Sequence, residues 1–184
     1  MRYLDPSLAV SLITHESFTA AAQEWLAGQP PEQVAVSDWV ITDVSSALSI
    51  KQRTGNLDDT ARRRAQRTFD VLVRDSATVL DVPRECFARA AEMAGRSDLG
   101  LRSGDALHLA VAQHHGAQLC TRDERQVHPG RALGIDVFFL APAAERAPKG
   151  PRHRLRSIGS VPWATPPCPV ACVSLPIVHA VDGT

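Results

Sequence analysis

Two rhythms of apolar residues alternate along the first 140 positions. Short β-prone runs occur at Arg2-Tyr3-Leu4, Gln33-Val34-Ala35-Val36, Thr78-Val79-Leu80 and Leu119-Cys120-Thr121. With the near-continuous apolar run from Ile135 to Leu140, they predict strands near 2–5, 34–37, 78–81, 118–121 and 135–140. The last run has the composition of a strand buried on both faces of a parallel sheet. Between the strands the spacing changes to that of helices. Ser17 to Ala27 repeats apolar residues at Phe18, Ala21, Ala22, Trp25 and Leu26 before Gly28 and Pro30-Pro31 stop it. Asp58 to Val73 reads as a helix capped by Asp58, with arginines down one side. Pro83 suits the first turn of a further helix, which Gly95 closes. Strands alternating with helices of these lengths predict βαβ units, and so a three-layer α/β/α domain with a central parallel sheet of about five strands.

After Leu140 the pattern stops. Residues 141–184 hold eight of the 13 prolines, and neither period continues through them. Proline at this density blocks helix and interior strand alike, so the chain divides into a domain at 1–140 and a Pro-rich, disordered extension at 141–184. Trp163 and the run Val170 to Val178 are somewhat apolar for such a segment, yet offer few packing residues against the entropy of ordering it.

The net charge of zero hides a split: residues 1–140 carry fifteen Lys/Arg and eighteen Asp/Glu, and 141–184 carry five and two. A mildly acidic body holds nucleic acid through local contacts rather than bulk attraction. No signal-peptide pattern opens the chain, Asp5 interrupting it at once, and no apolar run approaches the roughly 20 residues that span a bilayer. A cytoplasmic protein with no membrane partner is expected. Cys86 and Cys120 lie in apolar contexts that suit buried thiols. Cys168 and Cys172 lack the second pair of a structural zinc site.

Four aspartates change the picture. Asp5 closes the first strand and Asp123 follows the fourth, so both emerge at the carboxyl edge where open parallel sheets gather functional groups. Asp43 lies about a helical turn after the strand at 34–37, and Asp105 follows the helix-start signal Ser103-Gly104. Singly, each has a structural explanation: Asp5 before Pro6 as a turn or cap, Asp105 as a first-turn acid favoured by the helix dipole, Asp123 as a cap. Asp43, inside a helix of apolar and small neighbours, has the weakest such explanation. Jointly the four point to a shared acidic site. Such a site is costly without a cation, and a hard divalent metal with open positions for phosphate is the usual solution.

Four stretches then follow in order: Tyr3-Leu4-Asp5-Pro6-Ser7, Ile41-Thr42-Asp43-Val44 with Ala47-Leu48, Leu101-Arg102 with Asp105-Ala106-Leu107-His108-Leu109-Ala110, and Leu119-Cys120-Thr121-Arg122-Asp123. Together they resemble the signatures of the PIN domain, most closely of toxins of the VapC type, over about residues 1–140. The resemblance implies a PIN-like fold and a Mg²⁺- or Mn²⁺-dependent endoribonuclease. It also implies a partner antitoxin and a homodimer. Asp5 and Asp105 would be principal metal ligands, completed by Asp43 and Asp123 directly or through water. Two departures stand out. The second acid is usually Glu, so Asp43 is one methylene short. The family often has an aromatic or aliphatic residue three positions after the last Asp, where this chain has Gln126, a packing change that removes no catalytic group.

Other polar residues are read around this set. Ser7 and Thr121 are expected to orient carboxylates or waters, with capping or strand-end bonding as the alternative. Arg102, just before Asp105, is placed to contact an RNA phosphate, whereas the arginines at 53, 62, 63, 64, 67 and 74 read as a solvated helix face. His108 reads as a buried residue hydrogen-bonded within the helix layer, and His114-His115 as cations at a helix end. The competing function is a catalytically weak or inactive PIN-like module that binds RNA or protein, kept open by Asp43. A haloacid-dehalogenase-type phosphotransferase would need an Asp at position 7 and a suitable lysine, but Ser7 stands there and the body holds only Lys51. A response-regulator receiver fails for want of an acidic pair near residue 5 and a late lysine.

Overall fold

Strand and helix alternate from the first residues of the computed structural model, which describes residues 1–141. Strands β1 (Arg2–Leu4), β2 (Val34–Ser37), β3 (Thr78–Leu80), β4 (Gln118–Thr121) and β5 (Val137–Phe139) form one sheet in the order β3-β2-β1-β4-β5. Every pairing is parallel, with Arg2 opposite Val34 on one side of β1 and opposite Gln118 on the other. The helices are α1 (Pro6–Ile13), α2 (Thr19–Ala27), α3 (Asp38–Arg53), α4 (Asp59–Ser76), α5 (Arg84–Gly95), α6 (Ser103–His114) and α7 (Glu124–Ala132), with a 3₁₀ turn at Pro31–Gln33. The expected disordered extension lies outside the described residues.

Chain direction assigns the helices to layers. From β1 the chain moves one way across the sheet to β2 and β3; it then returns to β4 and continues outward to β5. Right-handed crossovers in opposite directions place their helices on opposite faces. In agreement, α1 packs on α2, α3 and α4, while α6 packs on α5 and α7. Ligands of such sheets bind beyond the carboxyl ends of the strands where the order reverses. Here that crevice lies between β1 and β4.

Burial follows position in the sheet. Val34, Ala35 and Val36 of β2, Tyr3 and Leu4 of β1, and Leu119 and Cys120 of β4 are buried. The edges differ: Thr78 and Val79 of β3 face solvent, and Phe138 and Phe139 of β5 are half-buried. The expectation that Ile135–Leu140 forms a doubly buried strand is therefore corrected. Only Val137–Phe139 pairs, at an edge, and Phe138 is covered by stacking on Trp25 of α2, with ring centroids 5.3 Å apart. Capping follows the sequence. Asp58 accepts the Ala61 N–H at 2.7 Å to start α4, and Ser37 accepts the Val40 N–H at 3.3 Å to start α3. At α7, Gly130 has room for nothing larger: a Cβ there would stand 2.6 Å from Val137 Cγ2 and 2.9 Å from Leu109 Cδ2.

Candidate active site

Asp5 sits at the switch point, 2% exposed, as the N-cap of α1. Its backbone N–H continues the sheet by donating to Cys120 O at 2.9 Å. Its Oδ2 accepts from the Ser7 N–H at 3.0 Å, from the Ser7 hydroxyl, and from Thr121 Oγ1 at 3.0 Å. Its Oδ1 accepts from Gln126 Nε2 at 2.9 Å. Gln126 is thus more than a packing change. It is 2% exposed and its amide holds the first acid in place, a role that its apolar counterparts in the family pattern could not take. The hydroxyls of Ser7 and Thr121 both orient Asp5, and Thr121 Oγ1 also accepts the Asp123 N–H at 2.9 Å, tying the first and last acids together.

Asp105 stands in the first turn of α6, which Arg102 precedes as N-cap residue. Burial pushes its carboxyl above the ordinary aspartate range, and the charges of Asp123 and Asp5 push it the same way. Asp123, N-cap of α7, is held in the opposite direction, its pKa lowered chiefly by hydrogen bonds from Arg125. Arg125 Nε lies 3.0 Å from Oδ1 and 3.1 Å from Oδ2 of Asp123, and its charge also reaches Asp105 and Asp5. The positive charge of Arg102 acts on Asp123 as well. Asp5, Asp105 and Asp123 therefore share one field, with arginines supplying the counter-charge from within the chain.

Asp43 is held apart from them, by His108. On α3, its Oδ2 lies 3.1 Å from His108 Nε2, while His108 Nδ1 lies 3.1 Å from the Tyr3 hydroxyl, itself 2.7 Å from Ser37 Oγ. One set of proton positions satisfies the whole chain. Ser37 donates to Tyr3, Tyr3 donates to Nδ1, and neutral His108 donates from Nε2 to Asp43. Burial raises the Tyr3 pKa, which keeps that hydroxyl a donor. His108, 1% exposed, is paired as expected of a buried histidine, although its partners lie on β1 and α3 and not within its own helix.

Asp5, Asp105, Asp123 and Asp43 form an all-oxygen donor set, the kind a hard divalent cation accepts. The mutual repulsion felt by Asp105 fits the same need. Yet among the described residues no three His, Cys, Asp or Glu side chains are gathered as an ion would require. Arg125 holds Asp123, His108 holds Asp43 and four donors hold Asp5. The four acids are oxygen donors of the kind a hard cation takes, but three of them are held by cationic and hydrogen-bonding side chains of the chain itself and are not gathered around a common point.

The remaining candidates fall outside this group. Arg63 and Arg74 lie on α4 and pair with Asp59 and Asp75, a solvated face. His115 Nε2 lies 2.9 Å from Asp81 O at the end of α6. Cys86 and Cys120 are free and buried, the latter with its thiol pKa pushed up to about 12 by burial. No helix among the described residues is long and apolar enough to cross a membrane. Sequence reading missed Arg125 and the structural use of Gln126, because both act through side chains whose partners only the fold brings near.

Five parallel strands in this order, with Asp5 and Asp123 just beyond the carboxyl ends of β1 and β4, define an α/β domain whose strand order reverses at β1 and β4. The chain belongs to the PIN domain family, whose model matches residues 2–131. The resemblance read from the four acidic stretches is borne out. Solved structures share the fold at low identity. VapC20 of Mycobacterium tuberculosis, a sarcin-ricin-loop-cleaving toxin, has a TM-score of 0.58 at 19% identity, over 77% of this chain and 100% of its own. FitAcB from Neisseria gonorrhoeae has a TM-score of 0.58 at 16% identity, over 75% and 96%. VapBC2 from Rickettsia felis, solved with a DNA fragment from its promoter, has a TM-score of 0.56 at 17% identity, over 77% and 100%. No curated protein matches the chain by sequence.

Proposed function

We propose that this protein is a metal-dependent endoribonuclease, the toxin of a toxin–antitoxin pair, that hydrolyses RNA phosphodiester bonds at Asp5, Asp43, Asp105 and Asp123. The observation that carries the reading is the position of Asp105, half-buried in the first turn of α6, where the charges of Asp123 and Asp5 reach it and, with burial, push its carboxyl upward. Asp5, Asp105 and Asp123, with Asp43 completing the set, would hold Mg²⁺ or Mn²⁺, which would supply positive charge to lower the pKa of water and offset charge on the phosphate. The chain's own residues do the rest. Ser7, Thr121 and Gln126 fix the Asp5 carboxylate, leaving Asp105 as the acid least restrained by hydrogen bonds. His108 orients Asp43, whose short arm it holds toward the start of α6, 4.0 Å from where a Cβ on Gly104 would stand. Arg102, exposed beside Asp105, is the residue we assign to an RNA phosphate.

The FitAcB and VapBC2 neighbours support an antitoxin as partner; a homodimer and a cytoplasmic location complete the proposal and rest on the family resemblance alone. The grip of His108 on the short Asp43 favours a second reading, a PIN-like module that binds RNA or protein with little catalysis. Purified protein incubated with RNA separates the two. Cleavage that requires Mg²⁺ or Mn²⁺, stops with chelator and falls by about 100-fold or more in Asp105→Asn supports the nuclease. Stable RNA in every condition, with retained binding, supports the module.

A further inference from the structure

Beside the acids lies a cavity of about 500 Å³ lined by His15, Phe18, Lys51, Asn56 and Arg122, among others. Arg122 connects the two. Its backbone N–H donates to Ser7 Oγ at 2.9 Å, one bond from Asp5, while its side chain runs along α1 to donate from Nη1 to Ser11 Oγ at 2.8 Å. The guanidinium lies flat on Phe18, 3.4 Å from the ring centroid. Its charge is only partly compensated. Arg122 is half-buried, its Nε has no acceptor, and among the described residues no ion pair is formed with it, although the charge of Glu16, itself paired with Lys51, reaches it. A half-buried guanidinium of this kind gains from an added anion. The cavity also shares Thr14, His15 and Leu57 with a second one, of about 360 Å³, that continues to Arg64. A guanidinium whose outer donors are only partly used, stacked on an aromatic ring and leading toward another arginine, matches a single nucleic-acid strand: phosphate on the cation and base against the open side of the stack.

We infer that the Arg122–Phe18 cavity binds a phosphate and stacked base of the RNA strand flanking the scissile bond. The inference rests on the ribonuclease reading above and extends it to where the substrate lies. Arg122 is then a binding residue that fixes the strand's register relative to Asp5.

Full-length protein carrying Asp105→Asn, which blocks cleavage, would be titrated into a labelled single-stranded RNA of about ten nucleotides and followed by fluorescence anisotropy across a salt series. In this background Arg122→Gln is expected to weaken binding by about fivefold or more and to reduce the slope of log K against log salt by about 0.7, the loss of one phosphate contact. Arg122→Lys is expected to recover part of the affinity. Asn56→Asp, an exposed change at the rim that leaves the core untouched, is expected to weaken binding through repulsion even if Arg122→Gln folds poorly. Unchanged RNA affinity and salt slope in Arg122→Gln and Asn56→Asp would overturn the subsite while leaving the nuclease reading intact. Weakened binding of an antitoxin but not of RNA would overturn it in favour of a protein-binding cavity. Failure of the parent protein to bind RNA at all would overturn both readings.

Discussion

Asp105 and Asp123 are the same residue type placed in opposite electrostatic circumstances. A carboxyl raised in the fold stabilises the protein below its unfolded pKa and loses that contribution as pH rises through the folded value; a lowered one does the reverse. Asp105→Asn is therefore expected to match the wild type near pH 3 and to become the more stable of the two as pH rises above the aspartate range. Asp123→Asn should be the less stable variant at pH 7, its deficit closing as pH falls below that range. Thermal unfolding of both across pH 3–8, without divalent metal, checks the signs, and identical profiles would remove the electrostatic account. A second residue-scale prediction concerns Gln126. Replacing it with Leu leaves Asp5 Oδ1 short of its buried donor and should cost about 1–3 kcal/mol in denaturant unfolding. Asp5, Asp105 and Asp123 were legible in the sequence because each stands at a strand end or helix start, and Asp43 because it lies inside a helix where an acid has little structural explanation. The bonds of Gln126 to Asp5 and of His108 to Asp43 were not, since their partners lie 121 and 65 positions away along the chain.

At the scale of elements, period-2 and period-3.6 patterns fixed the order of strands and helices because each element buries a defined face. They did not reveal which strands are edges. Val137–Phe139 is as apolar as an interior strand, and only the tertiary placement of Trp25 over Phe138 explains how an edge tolerates it. The approach of α7 to β5 and α6 was equally hidden, for it depends on the missing side chain at Gly130. Gly130→Ala would place a methyl within 3 Å of Val137 and Leu109. Overpacking of this kind should cost about 1–3 kcal/mol despite alanine's better helix propensity. A variant as stable as the wild type in urea would show that α7 shifts freely, and would weaken the view that it holds Asp123 in a fixed position.

For the molecule as a whole, the reversal of strand order beside β1 brings Asp5, which follows β1, and Asp123, which follows β4 by two residues, to the same edge of the sheet, while α3 and α6, which carry Asp43 and Asp105, lie on opposite faces. The described core closes between Tyr3 and Leu140. A chain ending at residue 144 should accordingly unfold in one transition with an unchanged midpoint, and a lowered or broadened transition would show that the Pro-rich segment contributes to the core. Because Arg125 grips both oxygens of Asp123, the proposed metal site requires that an ion entering it displace Arg125 from that carboxylate. Anomalous difference density from a Mn²⁺-soaked crystal tests this most directly. The account predicts an ion contacting Asp5, Asp105 and Asp123, with Arg125 displaced. An ion bound elsewhere, or Asp123 still held by Arg125 with no density at the crevice, would contradict it.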